Sequence, residues 1–421
     1  MKDKRRWIEW GKDAAIVLLT LSALYLLSMT PLIRDSGVMG LFPPKESPGV
    51  GSSGGSGPAA ILPARLAVNG PGGRFGVQYD ETRLEEQFPP LGALLGDALA
   101  SAGTPQSLTE AEWRRCLGET GVYFDFQGEA PLSILARWLQ GEREQPLEGS
   151  ARRLLLCAGA GDQVLLCWQE GSADTFFSCA TALTQSLNLD PVVEGITPNG
   201  AYFAFESQEL ANRLAPYTLV TEGEQGGTGY SASTPLTGDG AAPVLSALSF
   251  SGQNHAPVSG GEVYLDGGDR LVASAGGTVS YRAAQGEKYP VGGPALPDAV
   301  DAARALAEAT LGAQCGQARL YLMSAREEQG AARIQFGYLL GGSAVYLGGE
   351  GWAAEFVVRD GYIIQFTLRF RSYTANGERA LLLPIDKAAA MLPDLTRERR
   401  ELAIQYRDSG ETKLLPSWVA A

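Results

Sequence analysis

The residue types best suited to chemistry in this chain are its five cysteines: Cys116, Cys157, Cys167, Cys179 and Cys315. Their odd number and irregular spacing do not match a disulfide-rich framework. Cys157 and Cys167 lie on two apolar runs joined by a Gly-rich turn, RRLLLCAGAGDQVLLCWQ. A hairpin centred near Asp162 would place these two thiols opposite each other, which predicts a disulfide. The alternative is a pair of buried thiols that pack like small hydrophobic groups.

Other catalytic or metal-binding patterns are missing from the sequence. The single histidine, His255, stands among Ser, Gly, Asn and Pro residues and is predicted to lie in a surface loop. The residues GSSGG at 51–55 match G-x-S-x-G, but they lie in a Gly/Ser/Pro-rich stretch rather than between a strand and a helix. Gly159-Ala160-Gly161 lacks the third glycine of a dinucleotide site and is interpreted as a turn. We therefore predict no catalytic residue, no cofactor, no metal site and no enzyme activity.

Two arginines are predicted to contact a partner. From Tyr362 to Phe370 every second residue is apolar or aromatic, and the intervening positions lead to Arg369 and Arg371. This period of two predicts a strand with one packed face and one polar face. The two guanidinium groups could bind an anionic partner, or they could form an ordinary solvated face.

A stretch of twenty residues without a charge, 14–33, follows a basic N-terminus. As a helix it would reach about 30 Å, the thickness of the hydrocarbon core of a bilayer. Five Lys or Arg residues precede it, whereas only Arg34 follows within ten residues, so we predict a signal anchor with a cytoplasmic N-terminus and an extracellular remainder. A cleaved signal peptide is the alternative. One face of this helix carries Thr20, Ala23 and Thr30, small residues that would let a second transmembrane helix approach closely, unless their spacing is chance.

The charge balance limits the partners of the exported part. The whole chain is 45% hydrophobic and 19% charged, as expected for a folded protein. After residue 33 there are 29 basic and 44 acidic residues, a composition that would be repelled by nucleic acid and by anionic lipid. Plain solubility is the other explanation for this acidity.

Composition and periodicity predict an α+β fold in six parts. These are a basic cytoplasmic N-terminus (1–13), a transmembrane helix (14–33), a Gly/Ser/Pro-rich linker (34–60), an N-terminal α+β ectodomain (61–220), a flexible stretch with a β-rich middle segment (221–293) and a C-terminal α+β domain (294–421). Helices are predicted at 91–102, 109–118, 131–141, 175–187, 297–312 and behind Pro384. Hairpins are predicted at 153–168 and around Asp360-Gly361. The expected architecture is antiparallel sheets with helices packed on one face.

This arrangement resembles YycH and YycI, the membrane accessory proteins of the WalK sensor kinase in Gram-positive bacteria. The resemblance rests on the apolar segment AAIVLLTLSALYLLSMTPLI, on an Ala-rich helix followed by the hairpin FVVRDGYIIQFTLRF, and on the C-terminal run ELAIQYRDSGETKLLPSWVA. That run ends in an L-x-P-x-W type segment, here Leu415, Pro416, Ser417 and Trp418. The resemblance is strongest over the anchor and residues 294–421, whose layout is also similar to PepSY modules. Over 61–290 only length and α+β character favour YycH over the shorter YycI.

The resemblance implies a function without catalytic residues. Its expected partners are a sensor histidine kinase and a sister accessory membrane protein, reached through the transmembrane helix and through the ectodomain, with an effect on cell-wall regulation. A tethered extracellular module that binds a ligand or inhibits another protein is the second hypothesis, which a deep apolar pocket would favour over two flat sheet faces. A tethered enzyme is the third, and it would need a cleft with two close carboxylates of perturbed pKa.

Overall fold

The structure is a computed structural model that describes residues 61–141, 147–171, 175–221, 226–236, 241–391 and 401–420. The predicted anchor (14–33) and linker (34–60), and with them Thr20, Ala23 and Thr30, lie outside the described residues. Among the residues that are described, no helix is both long and apolar enough to span a membrane. The domain boundaries at 220 and 293 stay predictions.

An antiparallel sheet of seven strands forms the N-terminal part, in the spatial order β2-β1-β4-β5-β6-β7-β3. Its strands are β1 (Arg65–Gly70), β2 (Gly73–Gln78), β3 (Gln106–Leu108), β4 (Gly121–Pro131), β5 (Ser150–Ala158), β6 (Gln163–Glu170) and β7 (Thr175–Thr184). The helices in this region are α1 (Glu81–Ser101), α2 (Glu110–Gly118), α3 (Leu132–Trp138) and α4 (Asp190–Val193). The predicted helices at 91–102, 109–118 and 131–141 are thus present.

Local sequence explains where α1 and α2 begin. The side chain of Asp80 accepts a hydrogen bond from the backbone of Arg83 at the start of α1, and this helix continues through Pro89 and Pro90. At α2, Thr109 and Glu112 form a reciprocal capping box, with the Glu112 carboxylate 2.8 Å from the Thr109 amide. Such caps satisfy amide groups that have no partner inside the helix, so they fix the helix start.

Helices cover both faces of the N-terminal sheet, which corrects the prediction of one helical face. Along β4, Val122 and Phe124 point into a large core with the buried residues of α1 and α3. The intervening Tyr123 points into a separate cluster with Trp113 and Cys116 of α2. Because side chains alternate along a strand, a strand with apolar residues at every position needs cover on both sides.

The predicted helix at 175–187 was wrong. Residues Thr175–Thr184 form β7, which pairs with β6 and with β3, and a π-helical turn follows over Gln185–Leu189. Phe176, Cys179, Ala180 and Leu183 stand at helical spacing in the sequence. The segment is also rich in Thr and Phe, which favour strands, and pairing on both edges determines its structure.

A second, mostly antiparallel sheet forms the C-terminal part, in the order β11-β12-β13-β14-β19-β18-β16-β15. Its strands are β11 (His255–Val258), β12 (Gly261–Asp266), β13 (Asp269–Ser274), β14 (Thr278–Arg282), β15 (Arg319–Glu328), β16 (Ala331–Leu340), β17 (Ser343–Leu347), β18 (Ala354–Arg359), β19 (Tyr362–Arg369), β21 (Leu402–Asp408) and β23 (Ser417–Ala420). β17 pairs with the end of β16 and runs parallel to β21, which pairs with β23. The middle segment at 255–282 therefore belongs to this sheet.

The remaining elements support these sheets. They are the strands β8 (Tyr202–Phe203), β9 (Leu219–Val220), β10 (Gly226–Ser233), β20 (Ser372–Leu381) and β22 (Lys413–Leu414), and the helices α5 (Ala241–Ala247), α6 (Leu296–Thr310) and α7 (Ile385–Met391). The predicted Ala-rich helix is α6, and its buried Val300, Ala303 and Ala307 belong to the large core. A short parallel contact between β4 and β15, at Glu129 and Ser324, joins the two large sheets.

The predicted hairpin at Asp360-Gly361 is confirmed, with one irregularity. Asp360 and Gly361 have φ values of 51° and 79°, the left-handed conformation that a two-residue turn of this type requires. A register shift in β19 lies opposite Val357 and Val358, and it brings Ile363 inside, with 2% exposure. The predicted alternation of faces therefore holds from Phe366 onward and fails at Ile363, because a bulge adds one residue to one strand.

Candidate functional site

A cleft of about 870 Å³ lies where β4, β5 and β6 meet β15, β17 and β21. Charged residues of its lining include Arg152, Arg153 and Glu401. Aromatic residues of β15 and β17 also line it, among them Tyr346, which is 47% exposed. The cleft therefore combines a polar part with an aromatic wall, and it is open to solvent.

Five charged residues beside this cleft form one buried ion network, hereafter the Arg-carboxylate network: Arg65, Asp125, Arg152, Arg153 and Glu401. Asp125 lies 2.9 Å from a guanidinium nitrogen of Arg65 and 2.8 Å from Nε of Arg152. Glu401 lies 2.9 Å from Arg65, 2.7 Å from Arg152 and 2.9 Å from Arg153. The network joins four strands or segments that are far apart in the sequence.

Strand geometry places Asp125 at the centre of this network. Asp125 is 1% exposed and lies where the pairing of β4 with β5 is interrupted. Its carboxylate also accepts a hydrogen bond of 2.8 Å from the backbone amide of Gln127, a residue with a φ of 68°. The interrupted pairing of β4 with β5 thus lets the backbone of β4 turn towards the Asp125 carboxylate. The Gln127 amide then satisfies one more lone pair of this carboxylate.

The arginines keep both carboxylates ionised. Burial acts to raise the pKa of Asp125, but the charges of Arg152, Arg65 and Arg153 outweigh it and lower that pKa far below its usual range. The same balance between burial and the three arginines lowers the pKa of Glu401. A general acid needs a carboxyl group that stays protonated near neutral pH. These two carboxylates are the opposite case, so their role here is to hold the three guanidinium groups in place.

The network carries three positive and two negative charges, and its exposure is uneven. The Arg65 side chain is 4% exposed, whereas that of Arg152 is 26% exposed on the side of the cleft. The fixed guanidinium of Arg152 can therefore present a donor to a carboxylate or phosphate entering the cleft. The arrangement is suited to binding an anionic group.

A second cleft of about 800 Å³ lies on another part of the surface, between β2, the start of α1 and β10. Gln78, Tyr79, Glu81 and Arg379 are among its lining residues. It is also open and mostly polar. Within the described residues, these two clefts are open rather than deep and apolar, so they match neither the apolar pocket nor the flat sheet faces that the sequence hypotheses distinguish.

The two arginines predicted to contact a partner have different environments. Arg371 is bound inside the protein by both carboxylate oxygens of Asp408, at 2.7 and 2.8 Å, and it also donates to Thr234. Its side chain is 11% exposed. Arg369 covers the ring of Trp352 at 4.3 Å and donates to the carbonyl of Gly348. The expected solvated face is therefore not found at Arg371, because its guanidinium group forms an ion pair with the buried carboxylate of Asp408 in β21.

The predicted hairpin at 153–168 is present, but its register differs from the one expected. Cys157 of β5 pairs with Leu165 of β6, and Cys167 pairs with Leu155. The two thiols are therefore diagonal neighbours rather than directly opposite. The five cysteines are all within the described residues and all buried, and none of them forms a disulfide.

His255 begins the exposed strand β11. Its ring stacks on Tyr264 at 5.6 Å. The sequence predicted a surface loop. The structure confirms the exposed position but places the residue in a strand rather than a loop.

Sequence reasoning missed the Arg-carboxylate network. Two signals were available, an aspartate inside the apolar run VYFDF and the arginine pair at the start of RRLLLC. A charge in the middle of a buried strand needs a partner of opposite charge. The sequence does not reveal which partner, since Glu401 lies 276 residues after Asp125.

The lowered pKa values of Asp125 and Glu401 predict a loss of stability in acid. A carboxylate with a folded pKa below its unfolded value, about 3.9 for Asp and 4.3 for Glu, stabilises the folded state above the unfolded value and stops doing so as the pH falls through the folded one. We expect the free energy of unfolding in urea to fall steeply below about pH 4. Between pH 6 and pH 3 the free energy of unfolding should fall less in the Glu401→Gln variant than in the wild type. Equal falls in the two proteins would contradict the lowered pKa of Glu401.

Comparison with known proteins identifies the fold. Neither a family model nor a curated protein sequence matches the chain. Among solved structures, the chain is similar to the crystal structure of YycH from Bacillus subtilis, with a TM-score of 0.54 and 10% sequence identity. The likeness covers 86% of this chain and 93% of the YycH chain. At this identity it establishes a YycH-like fold, whereas the resemblance to YycI and to PepSY modules stays a prediction.

Proposed function

We propose that this chain is a membrane-anchored regulatory protein that modulates a sensor histidine kinase through transmembrane and extracytoplasmic protein contacts. The observation that carries the proposal is the YycH-like fold, which extends over 86% of the chain rather than over one module. YycH proteins are accessory proteins of the WalK kinase, so a shared fold over nearly the whole length supports a regulatory role. The apolar segment 14–33 supplies the proposed anchor.

The described residues support binding rather than catalysis. The carboxylates of the Arg-carboxylate network are ionised and bound by arginines, and both clefts are open to solvent and lined in part by charged side chains. Open polar surfaces of this kind suit a protein partner that is engaged reversibly. The proposed partners are a sensor histidine kinase and a sister accessory membrane protein.

Bacterial two-hybrid assays and co-purification of the full-length chain from membranes test this proposal. We expect capture of a sensor kinase, and altered expression of cell-wall genes when the gene is deleted. A variant in which residues 14–33 are replaced by an unrelated apolar helix of equal length separates the two kinds of contact. Unchanged signalling would leave the natural helix as a tether only. Failure to capture a kinase or another membrane protein, together with an unchanged cell-wall response, would overturn the proposal.

A tethered ligand-binding or inhibitory module is the second candidate, and the 870 Å³ cleft favours it. An acidic peptide or wall fragment could use Arg152 as its charged contact and the aromatic wall at Tyr346 as its apolar one. Isothermal titration of the full-length chain with such fragments tests this candidate. Tyr346→Ala should weaken binding, whereas Leu381→Ala, at another exposed apolar residue, should not. Equal affinities in the two variants would reject the cleft as the binding site.

A further inference from the structure

Three cysteines from three different elements meet on the α2 side of the N-terminal sheet. Cys116 comes from α2, Cys157 from β5 and Cys167 from β6. Their sulfur atoms all lie within 4.8 Å of one another. The exposure of these residues is 4%, 0% and 0%, respectively. We call this group the thiol triad.

The spacing of the sulfur atoms matches a shared metal ion. Metal–thiolate bonds are about 2.3 Å long, so three sulfurs around one ion in a plane stand about 4 Å apart. The upper limit of 4.8 Å on the sulfur–sulfur distances of the triad is compatible with that spacing. Small rotations of the side chains would complete the geometry.

The number of ligands and the surroundings select the class of metal. Among the described residues, no His, Asp, Glu or further Cys atom joins the three sulfurs within the same distance. The cluster around the triad is apolar and aromatic, with Trp113, Phe176 and Tyr217. Structural zinc sites take four protein ligands, and a catalytic zinc site keeps an open position for water. Soft thiolates in a dry site with three ligands instead suit Cu(I), a soft cation that is stable with two or three sulfur ligands.

Metal binding to the triad needs no redox partner. Binding of Cu(I) would form three S–Cu bonds and release the three thiol protons to solvent, with no transfer of electrons.

A disulfide across the β5–β6 hairpin is the competing outcome, and the register disfavours it. Cys157 and Cys167 are diagonal neighbours on the pair of strands, where the distance between residues is about 7 to 8 Å. A disulfide requires Cα atoms about 4.4 to 6.8 Å apart. The two side chains can still reach one ion between them, because each sulfur extends towards it.

We propose that Cys116, Cys157 and Cys167 form a binding site for one Cu(I) ion. The bound ion would link α2 to the β5–β6 hairpin. The site is independent of the proposed regulatory function, since none of its residues lines either large cleft.

Competition titration of the full-length chain, reduced and kept free of oxygen, against a coloured Cu(I) chelator tests the site. We expect one Cu(I) per chain and three sulfur neighbours in the X-ray absorption spectrum of the copper. Cys157→Ala should lower the affinity by more than the roughly 10- to 100-fold that loss of an outer-shell partner costs, because it removes a ligand itself. Cys315→Ala is the matched control, since Cys315 is also buried and its thiol donates to the backbone carbonyls of Gly312 and Ala318 rather than joining the triad.

A second measurement keeps the test valid if a core variant folds poorly. Cu(I) should raise the thermal midpoint of the wild type and of Cys315→Ala, and it should not raise that of Cys116→Ser, the variant at the edge of the cluster. Three results would overturn the proposal. They are equal copper affinity in a variant lacking all three cysteines, a preference for zinc over Cu(I), and a disulfide between any two triad cysteines in protein alkylated at cell lysis.

Discussion

Replacing Asp125 by asparagine is expected to lower the free energy of unfolding by about 3 to 5 kcal/mol. Asp125 is 1% exposed and lies within 3 Å of Arg65 and Arg152. Asparagine keeps the shape of the side chain but removes the negative charge, so three arginines would share the single carboxylate of Glu401. An uncompensated buried charge costs more than the intact pair contributes, which makes this the largest single effect that we predict.

Urea unfolding at pH 7, followed by circular dichroism, measures this loss. Asp97→Asn is the matched control, because Asp97 is an exposed residue of α1, and its effect should stay within about 0.5 kcal/mol. A loss below about 1 kcal/mol in Asp125→Asn would show that water or side-chain rearrangement compensates the arginines. Stability is the readout here, so the result does not depend on the function of the protein.

Replacing Arg371 by glutamine is expected to cost about 3 kcal/mol, the low end of the range for a broken buried pair. Asp408 is 2% exposed, and Arg371 contacts both of its carboxylate oxygens. The hydroxyl of Tyr373 donates to the same carboxylate at 2.8 Å, so some compensation remains in the variant. The lost pair joins the short link between β19 and β20 to β21, and we expect the C-terminal sheet to be the part that loosens.

Arg326→Gln is the matched control for this second variant. Arg326 makes an ion pair of 2.6 Å with Glu328, but its side chain is 60% exposed. Exposed pairs contribute about 0 to 1 kcal/mol. Hydrogen exchange of the β21 amides distinguishes a structural role of Arg371 from the partner contact predicted by sequence. Unchanged exchange together with weakened partner binding would favour the partner contact.

The sequence was sufficient where short-range patterns determine the structure. The capping pair Thr109 and Glu112 marked the start of α2, and Asp360-Gly361 marked the hairpin turn, because one or two residues decide these features. The Ala-rich, amphipathic pattern identified α6, because helical periodicity is also a property of neighbouring residues. At the level of the fold, the resemblance to YycH was also correct.

Features that depend on distant partners could not be predicted. Strand β7 contains a helical spacing of apolar residues, and only its pairing with β3 and β6 makes it a strand. Arg371 stands on the polar side of an alternating strand, but its environment is set by Asp408, which is 37 residues away. The thiol triad likewise depends on a helix and two strands whose relative placement is not local information. Periodicity gives the faces of an element and not the identity of what covers them.

The Arg-carboxylate network also has a consequence for folding kinetics. Glu401 contacts Arg65, a residue 336 positions earlier in the chain, and β21 enters the C-terminal sheet beside β17. Contacts with such long sequence separation form late, because the entropy of closing the intervening loop opposes them until other structure is in place. Until β21 docks, Arg65, Arg152 and Arg153 have only Asp125 as their carboxylate partner in this network. Docking of β21 brings Glu401 to the three arginines and lowers the net charge of the network from +2 to +1, so we expect this docking to be a late, cooperative step of folding.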